Sequence, residues 1–214
     1  MWKYAGLILI PVIAFTVNAC APKAQEDCGF VQNVYGERIS WKGQYPVTMY
    51  VHESVPESFY PAIQAAARTW QDASGKPLFK IVTNQKLYGP ASPTKDATNI
   101  IYFLNTWEED KPSEQARTSI YWIGDQVKEA DVRINGSKVN GQSRFSFYWD
   151  QDPASAANRA SSINIEALVI HELGHVLGLK HKDSSNSVMA TYLSNNSDRV
   201  NIADTDKSAL QCEY

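Results

Sequence analysis

The chain has 214 residues, 43% hydrophobic and 20% charged, which is a globular composition with length for one domain. Its net charge of −3 and pI near 5.8 exclude the basic face that a nucleic-acid binder presents. After the N-terminal segment no apolar run reaches the roughly 18 residues that a membrane-spanning helix needs. Met1-Trp2-Lys3 supplies a positive start, Leu7–Val17 an apolar run and Val17-Asn18-Ala19 small residues before a cut, so residues 1–19 read as an export signal. Residues 20–27 then form a polar tether to a domain over 28–214, and the seven residues 21–27 span at most about 25 Å.

Along the domain, Pro46–His52 alternates and is rich in β-formers, giving a first strand on which His52 reads as a surface residue. Pro56–Ser74 carries Phe59, Ile63, Ala66, Ala67 and Trp70 at helical spacing, and Gly75 ends that helix. Leu78–Val82 and Asn99–Leu104 are short strands separated by the Gly/Pro/Ser loop Tyr88–Thr98. Thr118–Ile123 and Ala130–Ile134 read as two more, joined by a turn at Gly124-Asp125. Asn135-Gly136 is a tight-turn signal, and Arg144–Trp149 reads as an additional strand. Asp152-Pro153 opens the approach to an apolar helix that begins after Ser162, and Asp204 caps a last helix, Asp204–Cys212.

That apolar helix carries three of the four histidines, in His171-Glu172-Leu173-Gly174-His175-Val176-Leu177-Gly178-Leu179-Lys180-His181. The pattern H-E-x-x-H-x-x-G-x-x-H is a zinc site with its general base attached. At about 1.5 Å rise per residue and 3.6 residues per turn, His171 and His175 stack on one face about 6 Å apart and both reach one metal. Glu172 lies roughly 100° further round, placed to hydrogen-bond a water rather than to act as a third ligand. Gly178 lets the chain leave the helix through a left-handed turn, which brings up His181. Three protein ligands with a fourth position open are the arrangement of catalytic zinc. The surrounding apolar residues make a chance pattern costly, because imidazoles and a carboxylate buried without a metal or partners cost several kcal/mol.

These residues resemble the metzincin clan of zinc endopeptidases, and within it the matrixins. The clan's methionine turn is matched by Ser187-Val188-Met189-Ala190, and the resemblance implies that Met189 lies beneath the zinc site as an apolar floor. Tyr45–Lys80 and Ile202–Tyr214 also look matrixin-like. The chain departs from the family pattern at Lys182, where serine is usual, and at Thr191, where proline is usual. The resemblance implies an α+β zincin: a twisted, mostly parallel sheet of about five strands packed on helices, with zinc on the second long helix. It further implies that substrate lies extended along the edge strand Thr118–Ile123 by β-augmentation. Residues 183–199 would wall the pocket that receives the side chain after the scissile bond, with Tyr192 as a wall or packing residue; some metzincins carry a tyrosine two residues after the methionine that touches the reacting centre, and Tyr192 stands three after. Calcium is common in matrixins, but no tight Asp/Asn/Gly loop here compels it. The implied activity is endopeptidase hydrolysis of proteins or peptides by a monomer, with Glu172 moving the proton. The alternatives are a zinc-binding but catalytically idle peptide-binding surface module, and a lipoprotein whose zinc only stabilises it.

Val17-Asn18-Ala19-Cys20 resembles a bacterial lipobox, which implies acylation of Cys20 and a membrane anchor; the following alanine implies sorting to the outer membrane. Plain secretion or a periplasmic location is the rival. Three cysteines are odd for an exported protein, and lipidating Cys20 leaves Cys28 and Cys212 as a pair. A disulfide between them closes a very long loop, worth near 5 kcal/mol in the chain-entropy model. The other readings are two free thiols and a thiol latch, the latter by resemblance to the cysteine-glycine pair of matrixin propeptides, although Asp27 stands where that switch has arginine.

Overall fold

The structure is a computed structural model that describes residues 24–184 and 186–214. The segment read as an export signal, and Cys20, therefore lie outside the described residues.

The first long helix, α1 (Tyr60–Ser74), follows strand β1 (Val47–His52) and returns the chain to β2 (Phe79–Leu87). β1 and β2 pair in parallel, as a helical crossover requires. Then come β3 (Ile100–Leu104), β4 (Ala116–Ile123) and β5 (Gln126–Asn135), giving a five-stranded sheet in the order β2-β1-β3-β5-β4. All neighbours are parallel except β4, which runs antiparallel to β5 through the two-residue turn Gly124-Asp125 and forms one edge. Gly124 has φ +64, a conformation that this tight connection demands and glycine takes without a Cβ clash.

Beyond β5 lie a small hairpin, β6 (Lys138–Val139) with β7 (Gln142–Ser143), then β8 (Phe147–Tyr148) and a four-residue helix, α2 (Pro153–Ala156). β9 (Ile163–Asn164) pairs with β8 and leads into the second long helix, α3 (Ile165–Val176). The last helix is α4 (Asp204–Leu210). α1 and α3 cover one sheet face. Ile63, Ala66 and Trp70 of α1 and Leu168, Val169, Leu173 and Val176 of α3 are buried with Val132 and Ile134 of β5. The Trp70 Nε1–H donates to the Ile170 carbonyl at 2.8 Å, so even the polar atom of this large core residue is satisfied and ties α1 to α3.

Several sequence expectations change in the folded chain. His52 is buried at 3% exposure, because the far face of β1 is covered: Tyr102 stacks on its ring at 5.1 Å and Ser54 Oγ meets Nδ1 at 2.9 Å. Asn135-Gly136 makes no hairpin. Asn135 ends β5, and a Cβ at Gly136 would stand 2.0 Å from the Phe103 ring, so the glycine serves close packing. The tight hairpin turn is Asn140-Gly141, both at positive φ. Of the strand expected over Arg144–Trp149 only Phe147–Tyr148 pairs. Asp204 is the first residue of α4 rather than its cap, which is Ala203, and α4 ends at Leu210. The end of the tether is laid on the domain: Gln25 N–H donates to the Gly36 carbonyl at 2.8 Å, and Asp27 pairs with Lys180 at 2.7 Å.

Candidate metal centre and cleft

Asn164 starts α3. Its side-chain oxygen accepts from the N–H groups of Glu166 at 3.0 Å and Ala167 at 3.3 Å, meeting donors that a helix start leaves unpaired. From that fixed start, His171 and His175 fall one turn apart on the cleft side. Their Nε2 atoms approach to 3.1 Å. Two nitrogens on one tetrahedral zinc, each about 2.0–2.1 Å from it, stand about 3.3 Å apart.

The helix ends because Gly178 takes φ +101 in a space with no room for a side chain: a Cβ there would lie 2.2 Å from the Ile39 carbonyl. Leu179 then bridges Phe30, Val31 N–H donates to the Gly178 carbonyl at 2.9 Å and Lys180 N–H to that of Gly29 at 2.8 Å. This strap from the N-terminal segment steers the chain so that His181 returns to the other two imidazoles. The ligating atoms of His171, His175 and His181 lie within 4.8 Å of one another, with His181 the exposed member.

The second nitrogen of each helical histidine fixes its role. His171 Nδ1 meets the Val188 carbonyl at 2.8 Å and His175 Nδ1 the Leu179 carbonyl at 2.7 Å. A carbonyl only accepts, so both Nδ1 atoms carry the proton and both Nε2 atoms point lone pairs at one spot. Two lone pairs at 3.1 Å repel unless a cation sits between them; the donor set fits a metal. Burial also pushes the imidazoles down, His171 to about 3 and His175 to about 4, which keeps them in the neutral, ligating form.

Met189 is 2% exposed, in the turn whose Val188 carbonyl meets His171 Nδ1. Ser187 Oγ accepts from Met189 N–H at 3.0 Å and donates to Asp206 Oδ1 at 2.5 Å; Asp206 Oδ2 accepts from Val188 N–H at 2.9 Å. The methionine turn is therefore pinned to α4. It also needs the small Gly174 opposite, since a Cβ there would stand 2.3 Å from the Met189 sulfur. Sequence reasoning missed Asp206 and Gly174: one acts from a distant helix, the other occupies an x position of the motif.

Glu172 is 3% exposed and faces the edge strand, where Thr118 Oγ1 donates to its Oε2 at 2.6 Å. Burial raises its carboxyl to about 7, against the lowering effect of that hydrogen bond. The three histidines, Glu172 and β4 residues such as Thr118, Ile120 and Trp122 all line one cleft of about 700 Å³. Tyr192 also lines the cleft together with Thr191 and Leu193, and is 89% exposed. The Arg199 guanidinium holds this segment by donating to the carbonyls of Ser187 and Tyr192.

The matrixin family model matches residues 44–214, taking in the sheet, both long helices and the methionine turn. The chain belongs to the matrixin family. Among curated proteins it is similar to a matrilysin of Felis catus, 37% identical over 68 residues, which is 31% of this chain and 26% of that protein. Matrixins are zinc endopeptidases, and here His171 and His175 on the second long helix are joined by His181 from beyond its end in one cluster that could hold a metal. In this matrixin Cys28 and Cys212 form a disulfide, so the Cys28 sulfur is bonded away from the cleft and the thiol latch is set aside. The bonded C-terminus also braces the exit of α3: the Tyr214 hydroxyl donates to the Leu177 carbonyl at 2.7 Å.

Proposed function

We propose that this matrixin hydrolyses internal peptide bonds of proteins or peptides at or outside the cell surface, acting as a monomer. The observation that carries this reading is the pair of proton-bearing Nδ1 atoms, which leave the imidazole lone pairs converging beside a buried carboxylate in an open cleft. His171, His175 and His181 would hold zinc, which when bound polarises a carbonyl and acidifies water. The substrate segment lies along the free edge of β4, where main-chain hydrogen bonds orient the scissile amide. Glu172 takes the proton of the attacking water and delivers it to the leaving amine, a task suited to a group titrating near neutrality. Met189 floors the site, and Tyr192 walls the pocket beyond the scissile bond. An anchor at Cys20 would hold the cleft near a membrane, because at most about 14 Å of chain separates that residue from Ala24.

The test is Glu172→Ala in the full chain. We expect it to keep the fold and its zinc while casein or peptide-library cleavage falls by roughly 10²–10⁴-fold. Cleavage at the wild-type rate by that variant would remove the mechanism.

A further inference from the structure

Thr118 occupies the middle of β4, opposite Val132, and strand alternation sends its side chain to the same face as Ala116 and Ile120, towards α3. Its hydroxyl oxygen stands 2.6 Å from Glu172 Oε2 and 3.1 Å from the Glu172 carbonyl oxygen. A hydroxyl has one proton to give. The nearer acceptor is also the carboxylate, and bonds to a charged acceptor are the stronger ones. The proton therefore goes to Oε2, which leaves the other carboxylate oxygen to the reacting atoms.

We infer that Thr118 is a positioning residue for the reaction: it orients the Glu172 carboxylate from the same strand that receives the substrate. The inference rests on the peptidase reading above and deepens it. A buried glutamate has three side-chain torsions, and α3 by itself fixes none of the terminal ones. The Thr118 hydroxyl removes that freedom. Because β4 is both the substrate-binding edge and the source of this hydrogen bond, the proton-carrying group and the scissile amide are referenced to one rigid element. A helix–strand displacement would misplace both together.

The experiment compares Thr118→Val and Thr118→Ser in the full, zinc-loaded chain, with steady-state peptide cleavage, zinc content and thermal midpoint measured for each. Valine keeps the branched shape that a strand prefers and lacks only the hydroxyl. We expect Thr118→Val to lose roughly ten- to hundredfold in kcat, with KM and zinc content close to wild type and the midpoint lowered by only a few degrees for the unpaired buried carboxylate. Thr118→Ser should recover most of the lost kcat. Wild-type kcat in Thr118→Val overturns the role, and so does a Thr118→Ser variant as slow as valine, since the methyl would then be what matters. A wild-type chain without turnover overturns the peptidase reading and this role with it, whereas an active wild type beside an equally active Thr118→Val overturns the role alone.

Discussion

β5 separates two regions that bury polar groups in opposite ways. On the α3 side, His171, His175, Ser187 and Asp206 are matched to specific partners: carbonyls for the two Nδ1 atoms, a carboxylate for the hydroxyl and the Val188 N–H. On the other side, Glu129 and Asp131 are 2% and 0% exposed, yet each keeps one carboxylate oxygen without a hydrogen-bond partner. Asp131 accepts from Ile100 N–H at 3.0 Å through its other oxygen, and Glu129 accepts from Ala97 N–H. Burial, the largest cause, raises the Asp131 carboxyl to about 7, and the nearby Glu129 and Asp96 push the same way. The first region spends its polar atoms on aiming lone pairs. The second uses carboxylates to pin the loop between β2 and β3 at an energetic cost.

The α3 side is most vulnerable at Gly174. A methyl placed there collides with the Met189 sulfur and with Trp70, at 2.3 and 2.9 Å. We expect Gly174→Ala to destabilise by about 1–3 kcal/mol, as overpacked cores do, and to weaken zinc retention because the floor of the site must move. Urea unfolding and metal content check this; unchanged stability would mean that the floor yields freely.

The buried imidazoles and the raised buried carboxylates titrate with opposite sign. His171 and His175 bind protons less readily folded, at about 3 and 4, than at their ordinary 6.5, so their contribution is present above pH 6.5 and is lost as pH falls below it. Asp131 and Glu172 are raised from 3.8 and 4.5 to about 7, so theirs is present at low pH and is lost as pH rises through about 7. Between pH 4.5 and 6.5 two groups of each kind cancel, and zinc-free stability should be nearly flat there. Below that window Glu213, whose carboxylate is held low by Ser40, Arg38 and Lys42 against its burial, adds to the acid loss. Asp131→Asn removes one member of the balance. Its stability should rise with pH across the window and exceed wild type at pH 8 by on the order of 1–3 kcal/mol. Calorimetry across pH measures this, and a variant that tracks wild type at every pH would place Asp131 outside the balance.

The two regions differ as much in how far sequence reveals them. His171, Glu172 and His175 were legible because helix geometry dictates their spacing, and Gly178 and His181 because a glycine turn after the helix brings up a third ligand. The β4–β5 hairpin, the two long helices and the Cys28–Cys212 pair were legible for local reasons or by counting. What escaped depends on contacts across the fold. His52 lies on a strand whose outer face is covered by Tyr102, a neighbour that alternation cannot announce. Gly136 looked like a turn residue and is instead a gap for Phe103. Thr118 and Asp206 are ordinary polar residues in their own segments, and acquire their roles only when β4 and α4 come to rest against α3 and the methionine turn.

Titration of zinc into the chelated full chain, counted as tightly bound metal per polypeptide, decides whether the three imidazoles form a metal site. One equivalent should bind, and His171→Ala or His181→Ala should abolish that stoichiometric binding. A wild-type chain that accepts no stoichiometric zinc, or that binds it equally well without either imidazole, would contradict the account.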